Sequence, residues 1–366
     1  MNLGKGLIKF LFVTANLIVV VLMLMSLVAS TVSPDKLLIP AYTTLLLPLV
    51  IVLNIGFVLL WIIFKKWYFL LSLIAIIICF NLVRITFPVN FNRSGMSADA
   101  AGITLMTYNT LANGMMAKHT KDNPNPVIQY MLDQYPDILC IQEYSANTNE
   151  NHLTKKDLLK IFNKYPYSHV EFKVNTGWSC FGTAIFSKFP IIHKQVIDYQ
   201  SIYNTSIAAD IQIKDKLLRV YNCHLESNNL TENDKVMAIR LKDNFDTDNI
   251  KGTTMYLSRK LGAAYRIRAR QADIVAEQIL ASPYPVMVVG DFNDLPGSYV
   301  YTKVRGDLKD AFVERGFGLG WTFNQSIFKF RIDHILYDAS LELVDFKIDN
   351  KVRHSDHYPL QCKIIL

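Results

Sequence analysis

The sequence predicts a layered α/β domain behind a membrane anchor of three transmembrane helices. Three observations carry this expectation. Hydrophobic residues make up 51% of the 366-residue chain, high for a soluble protein, and the excess is concentrated at the front. Over the last 264 residues, apolar runs of strand length mix with helix-like stretches, enough chain for one substantial domain. The polar residues suited to chemistry stand at the ends of those apolar runs.

The anchor follows from the spacing of formal charges. Between Lys9 and Asp35 lie 25 uncharged residues, between Lys36 and Lys65 lie 28, and between Lys66 and Arg84 lie 17. A bilayer core takes about 20 apolar residues per helix and tolerates ~17. Residues 1–89 are therefore read as an anchor with helices at about 7–32, 38–64 and 67–87. Val28-Ala29-Ser30 would suit a signal-peptide cleavage site. The apolar run before it, however, is far longer than the roughly 7–15 residues of a signal peptide. Lys5, Lys9, Lys65 and Lys66 fall on one side of the bilayer, Lys36 and Arg84 on the other. The positive-inside rule then puts the N-terminus in the cytoplasm and the chain after the third helix outside. In a bacterial inner membrane that outside is the periplasm. Trp67 and Tyr68, beside the lysine pair, suit an interfacial position.

A pI of about 9.0 invites a nucleic-acid reading, but the charge is unevenly spread. Residues 1–93 carry a net +6 and the remainder only +1, so most of the excess reports membrane topology rather than a polyanion-binding face. Arg266, Arg268 and Arg270 are the residues expected to form any local basic patch. The five cysteines have no CxxC or CxxH spacing, which gives neither a zinc site nor a disulfide framework and leaves them as small buried hydrophobes.

Asn90–Gly102 is a polar tether that spans at most about 45 Å when extended, and 103–366 form the domain behind it. Strands are expected at Ile103–Tyr108, Ile138–Gln142, Gly182–Ser187, Ser206–Ile213, Leu217–Cys223, Val286–Gly290, Ile332–Tyr337 and Leu360–Ile364, as apolar, β-branched runs bounded by turn residues. Helices are expected at Pro126–Gln134, Thr154–Lys164 and around Met255–Ala281 from their apolar periodicity. Residues 228–285 are a long insertion whose lead-in, Asn229–Gly252, is rich in Asn, Asp and Lys. It reads either as a lid, selectivity or membrane-facing element, or as a floppy approach to a longer surface helix.

Asn109, Glu143, His224 and Asp291 each end a strand, Asp333 lies in RIDHILY, and Ser355-Asp356-His357 precedes the last strand. Strand ends opening into loops are where α/β sheets gather ligands. Singly, each residue has a bland explanation as a turn or solvated group. Together TYNTL, IQE, GTAIFSKFPI, NCHL, GDFND, RIDHI and SDH occur in an order that resembles the endonuclease/exonuclease/phosphatase superfamily. That superfamily includes abasic-site endonucleases, pancreatic-type deoxyribonucleases, inositol-polyphosphate phosphatases and sphingomyelinases. The resemblance covers about 103–366 and implies a four-layer sandwich of two mixed β-sheets flanked by helices.

It also implies metal-assisted hydrolysis of a phosphodiester, with magnesium as cofactor and manganese or calcium as substitutes. Glu143 would be the principal metal ligand, with Asn109 and Asp356 nearby, as suits a hard cation that takes few carboxylates. Asp291 would orient or deprotonate the attacking water. Asn293 would donate to phosphate oxygen or to Asp291. His357 would contact the phosphate and carry acid/base duty, its imidazole held by a buried Asp333. His224 would be a second phosphate-stabilising imidazole, where abasic-site enzymes tend to have tyrosine. Substrate contacts would fall on Asn109, His224 and Asn293. His334, facing away from Asp333, reads as structural. Anchoring beside a lipid bilayer favours a lipid head group as substrate. The alternatives are a nuclease on extracytoplasmic DNA or RNA, a phosphatase on phosphorylated lipids, and an inactive module that only binds in the same crevice.

Overall fold

A computed structural model of the chain describes residues 3–91, 102–199, 201–228, 233–234, 237, 247–325 and 328–366. Most of the expected tether, and 15 of the 24 residues of the Asn229–Gly252 lead-in, lie outside the described residues.

The chain opens with helix α1 (Leu3–Thr31). A second helical run comprises α2 (Ile39–Thr43) and α3 (Leu47–Ile63), joined by a 3₁₀ turn at Thr44–Leu46. Pro48 accounts for that turn, because its ring excludes an α-type bond to the carbonyl four residues back, that of Thr44. Gly6–Thr31 and Ile39–Ile63 are each long and apolar enough to cross a bilayer. The expected third span is broken: α4 (Phe69–Ile78) and α5 (Phe80–Thr86) meet at 74° and pass the same test only as a pair. Neither Pro nor Gly stands at the break. Large apolar side chains along these helices, among them Phe10, Ile18, Leu49, Ile62 and Ile74, are exposed, as a lipid-facing surface requires. The helices are joined inside by polar groups: Trp61 Nε1 donates to Asn16 Oδ1 at 2.9 Å, and Asn16 Nδ2 to Ser72 Oγ at 2.6 Å. In a bilayer, where water cannot substitute, such bonds set the packing register.

The remaining elements run β1 (Ile103–Asn109), α6 (Pro126–Gln134), β2 (Ile138–Asn147), α7 (Lys155–Ile161), β3 (Tyr167–Asn175), β4 (Ser179–Ser187), β5 (Ile191–Ile197), β6 (Ser206–Ile213) and β7 (Lys216–His224). They continue through α8 (Thr247–Leu280), β8 (Val286–Asp291), α9 (Tyr299–Arg305), β9 (Lys309–Asp310), α10 (Ala311–Arg315), β10 (Phe323–Gln325), β11 (Phe328–Phe330), β12 (Asp333–Tyr337), β13 (Glu342–Ile348) and β14 (Leu360–Ile365). One six-stranded sheet has the order β13-β14-β1-β2-β4-β3 and the other β5-β6-β7-β8-β12-β9, with β10 and β11 a separate hairpin. Each large sheet is mixed, β1–β2 and β7–β8 being the parallel pairs. The expected sandwich is the observed fold.

The core lies in three layers. Ile138, Ile185, Ile211, Val220, Val289 and Leu360 pack between the two sheets. Val127, Met131, Leu158 and Phe162 cover the first sheet from outside. Over the second sheet, Ala272, Val275, Val300 and Val304 share a single cluster with Met23, Leu47, Leu82 and Ile85 of the N-terminal apolar helices. The anchor therefore completes the outer layer of the domain.

Polar contacts mark the seam. Arg270 meets Asp35 at 3.3 Å, Arg84 meets Glu314 at 2.9 Å, and Tyr42 Oη donates to Ser258 O at 2.7 Å. Asn90 Nδ2 bonds Val313 O and Gly316 O at 3.0 and 2.8 Å. The loop after α1 and the end of α5 thus meet the same body. Exposed ion pairs contribute little, so the shared apolar cluster dominates this docking.

Asn90, where the expected tether begins, is already fixed to the domain. One sequence expectation changes here: Arg268 is no patch residue, being fully buried, its Nη1 bonding Glu226 O at 2.8 Å and its Nε meeting Asp294 Oδ2 at 3.2 Å.

Candidate active site

The two sheets bring the ends of β1, β7 and β8, the start of β12 and the middle of β2 to one edge of the sandwich. At β1 the apolar run delivers Asn109, buried to 1% exposure. Its Nδ2 donates to Asp291 Oδ2 at 3.0 Å and to Glu143 Oε1 at 3.3 Å. One amide thereby connects two carboxylates from opposite sheets.

Glu143 stands on a bulge in β2, where the register with β4 shifts between Gln142 and Tyr144, and its φ is +55°. A bulge re-aims one side chain out of the ladder, which turns a strand residue into a cleft residue. Residues 111–116 then form a left-handed turn, with φ from +48° to +65°. For L-residues other than Asn this costs about 1 kcal/mol or more each, so something must hold it. Asn113 Nδ2 donates to Ser145 O at 2.7 Å, and Asn125 Nδ2 to Asn113 O and Ala117 O at 2.9 and 2.8 Å.

Asp291 ends β8 directly opposite Asp333 on the antiparallel β12. The preceding Gly290 has φ +125°, and a Cβ there would lie 2.1 Å from Cys223 O; only glycine fits this approach of β8 to β7. Asn293 N donates to Asp291 Oδ1 at 2.8 Å, while its side-chain Nδ2 bonds Leu225 O at 2.9 Å. The link from Asn293 to Asp291 thus runs through the backbone rather than through the amide.

His357 Nδ1 lies 2.8 Å from Asp333 Oδ2, and its Nε2 lies 3.7 Å from Asp291 Oδ2. His224 Nε2 approaches the same Asp291 oxygen at 4.0 Å. The Asp333 backbone is fixed by Thr322, whose Oγ1 accepts from Ile332 N and Asp333 N, both at 3.0 Å. Ser355 Oγ donates to Asn109 O at 2.9 Å and accepts from His357 N at 3.2 Å, tying the SDH loop to β1. Phe323 stands edge-on to the His357 ring at 5.1 Å. Asp356 is partly exposed.

Burial and charge set the protonation pattern. Burial alone would depress the His357 imidazolium, but Asp333 and Asp291 override it and raise the group to about 10. Burial also raises Asp291, with Asp333 adding repulsion and the two histidines opposing. His224 goes the other way: burial lowers it below its ordinary value against the pull of Asp291. At neutral pH the site therefore holds a charged His357 beside a neutral His224. Glu143 is raised by burial, opposed by His357 and reinforced by Asp356.

Those carboxylates bear on metal binding. Glu143 and Asp356 repel one another electrostatically, and a hard cation between oxygen donors would relieve that repulsion. Glu143, Asn109 and Asp356 thus fit a magnesium-like ion by donor chemistry. Asp291, Asp333 and His357 also offer ligand atoms within 4.8 Å of one another. That trio fits less well, because a metal-ligating imidazole must be unprotonated and His357 is held charged by Asp333.

The eight residues singled out in the sequence all reach this edge. His334 does not: it is buried between Phe292 and Tyr301, each 4.9 Å away, and burial lowers it to about 4. Sequence reasoning missed Thr322 and Asn113, whose only signal is that short polar residues bond local backbone. It also missed the Arg268–Asp294 pair under the GDFND loop.

The family model described as Endonuclease/Exonuclease/phosphatase family matches residues 106–357, and one described as Domain of unknown function (DUF8431) matches residues 9–86. Similar solved structures include truncated Caenorhabditis elegans TDP2, at 19% identity and TM-score 0.47 over 72% of this chain and 97% of that one. An endonuclease/exonuclease/phosphatase family protein from Leptotrichia buccalis C-1013-b aligns at 18% identity and TM-score 0.48, over 72% and 100% of the two chains. The human Nocturnin catalytic domain with bound sulfate aligns at 16% and 0.46, over 72% and 94%. No curated protein matches the chain.

Proposed function

Because the chain belongs to the endonuclease/exonuclease/phosphatase family, whose members hydrolyse phosphodiester bonds, we propose that it is a membrane-anchored, divalent-metal-dependent phosphodiesterase acting on a lipid head group. The observation that carries the reading is the position of the site. The loop that follows Asp291 and Asn293 rests on the membrane helices, and a Cβ at Gly297 would lie 3.1 Å from both Leu47 and Leu82. A cleft whose rim touches transmembrane helices favours a substrate presented by the bilayer. The near-neutral charge of residues 94–366, +1 in all, gives no footprint for a nucleic-acid backbone. The domains in this reading are an anchor to residue 89, a link at 90–102 and a catalytic domain over 103–366. By the positive-inside rule the catalytic domain is extracytoplasmic, which is periplasmic for a bacterial inner membrane.

Glu143, with Asn109 and Asp356 around it, is the group that would hold magnesium, which supplies charge neutralisation at the phosphate and the leaving oxygen. Asp291, oriented by Asn109 Nδ2 and Asn293 N, would take the proton of the attacking water. Its raised pKa makes it a better base than a solvated aspartate. His357, kept charged by Asp333, donates to a phosphoryl oxygen. His224, on the other side of Asp291, is the second donor.

The test uses the full chain in nanodiscs, offered mixed phospholipid and sphingomyelin vesicles, plasmid DNA and RNA in separate reactions with magnesium. Release of a phosphorylated head group, abolished by EDTA and by Asp291→Asn, is the expected result. Rapid plasmid nicking that Asp291→Asn blocks, with no lipid turnover, would establish a nuclease instead. No turnover on any phosphoester with magnesium, manganese or calcium would leave a binding module.

A further inference from the structure

Between Asn249 and Ala272 the chain holds six basic residues and no acidic one, although residues 94–366 together carry a net charge of only +1. The whole segment lies in α8. Three of the six cations are engaged: Lys260 pairs with Asp234, buried Arg268 with Asp294, and Arg270 with Asp35. Lys251, Arg259 and Arg266 are exposed and have no ion pair among the described residues.

Helical spacing puts these cations on one face. Residues three or four apart lie on the same side of a helix, and Lys251, Met255, Arg259, Gly262, Arg266 and Arg270 follow one another at that spacing. The middle of this face meets the turn between the first two apolar helices. A Cβ on Gly262 would lie 2.7 Å from Tyr42 Oη and 2.8 Å from the Leu38 side chain. One turn earlier, Ser258 O accepts from Tyr42 Oη at 2.7 Å; two turns later, Arg270 reaches Asp35 at 3.3 Å.

The contacts from Ser258 to Arg270 cover about 18 Å of helix, so α8 lies beside the turn rather than end-on to it. A turn that joins two bilayer spans lies at the membrane surface, because irregular backbone is excluded from lipid-facing hydrocarbon. Leu37 and Ile39, which flank the end of that turn, are exposed. The same face of α8 runs on past the anchor to Met255, 46% exposed, and to Lys251.

We propose that this face of α8 binds the head groups of anionic lipids in the surrounding bilayer, with Lys251, Arg259 and Arg266 as the cations that hold them. The inference rests on the anchored reading of the chain and not on the hydrolase one. A helix that sets cations beside an exposed apolar residue suits the bilayer interface, and each Lys or Arg near an anionic surface contributes up to about a five-fold preference. Nucleic acid is the other polyanion such a stripe fits, but this face is turned to the anchor, so the bilayer is what it meets.

The experiment uses the full chain in nanodiscs, with EDTA present so that no metal-dependent turnover consumes the lipid. The native cysteines are buried, so Met255→Cys gives a single accessible site for a fluorescent label. Two quenchers are compared at equal mole fraction: phosphatidylglycerol and phosphatidylcholine, each spin-labelled near the top of one acyl chain. Ile62→Cys, exposed on α3, reports on the anchor alone. Both lipids are expected to quench the label at position 62 equally, whereas at position 255 phosphatidylglycerol should quench several-fold more effectively. Arg259→Gln and Arg266→Gln should each lower that preference by up to about five-fold, and the double variant should bring it close to unity. Arg259→Lys and Arg266→Lys should keep it, and high salt should weaken it. Equal quenching by the two lipids at position 255, or a preference unchanged in the double glutamine variant, would overturn the proposal. Quenching at 62 with none at 255 would also overturn it, and RNA binding that needs Arg259 and Arg266 would then assign the face to nucleic acid. No quenching at 62 would remove the anchored reading and this proposal with it, whatever the hydrolase assay shows.

Discussion

Asn109 gives the site its cohesion, because one amide holds Asp291 and Glu143 at 3.0 and 3.3 Å although they come from different sheets. Two kinds of loss should follow from cutting on either side of it. Glu143→Ala should mainly weaken metal dependence, so that excess magnesium partly restores activity in a metal titration. Asp291→Asn should lower the rate by ~10²–10⁴-fold with no rescue at any metal concentration; a near-normal rate would remove Asp291 from water activation. The Asp333–His357 pair makes a pH prediction with a definite sign. His357 is raised above its unfolded value to about 10. Its charged form therefore contributes fully below the ordinary histidine range of about 6.5 and is lost as pH rises through about 10. Asp333→Asn removes the main charge that raises it, so the alkaline limb of the kcat/KM profile should move to lower pH. An unmoved limb would show that another group sets it.

At the scale of elements, legibility followed position in the sheets. The interior strands β1, β2, β4, β6, β7, β8, β12 and β14 were all readable as apolar runs, within a few residues at their ends. The strands that were missed are the four sheet edges, β3, β5, β9 and β13, and the separate hairpin of β10 and β11. An edge strand carries polar residues on its open side, and His193, Lys194 and Gln195 in β5 are exposed or half-exposed, so it reads as loop. The long helix α8 was legible in outline, but its load was not. Periodicity could not show that Arg268 points into the protein and meets Asp294 beneath the GDFND loop. Removing one partner of a buried pair leaves a desolvated charge, at about 3–5 kcal/mol. Arg268→Met should therefore lower the melting temperature sharply, and adding Asp294→Leu should restore much of it. A single variant as stable as the parent would mean that water replaces the guanidinium.

For the whole molecule, the shared apolar cluster makes anchor and domain one folding body. Met23, Leu47 and Leu82 pack in the same core as Val275, Val300 and Val304. A chain reduced to residues 102–366 loses that cover and exposes apolar surface. It should aggregate or require detergent by size-exclusion chromatography with light scattering, while the full chain in detergent stays monodisperse. A truncated domain that is monodisperse and melts at the temperature of the full chain would show that the cluster adds no stability.

The sequence by itself determined the apolar helices, the interior strands and the residue types of the site, because these are local properties: an uncharged run, an alternation, a polar residue at a strand end. The order of motifs added the family and its sandwich. Three features were decided only by tertiary structure. The bulge at Glu143 aims its carboxylate into the cleft, the 74° break divides the third apolar segment, and the domain docks on its own N-terminal apolar helices. Each depends on what a residue meets across hundreds of positions. Arg331 with Ile85 and Gly297 with Leu47 are such meetings, and the chain carries no local mark of either, because both follow from packing surfaces that exist only once the sheets have closed.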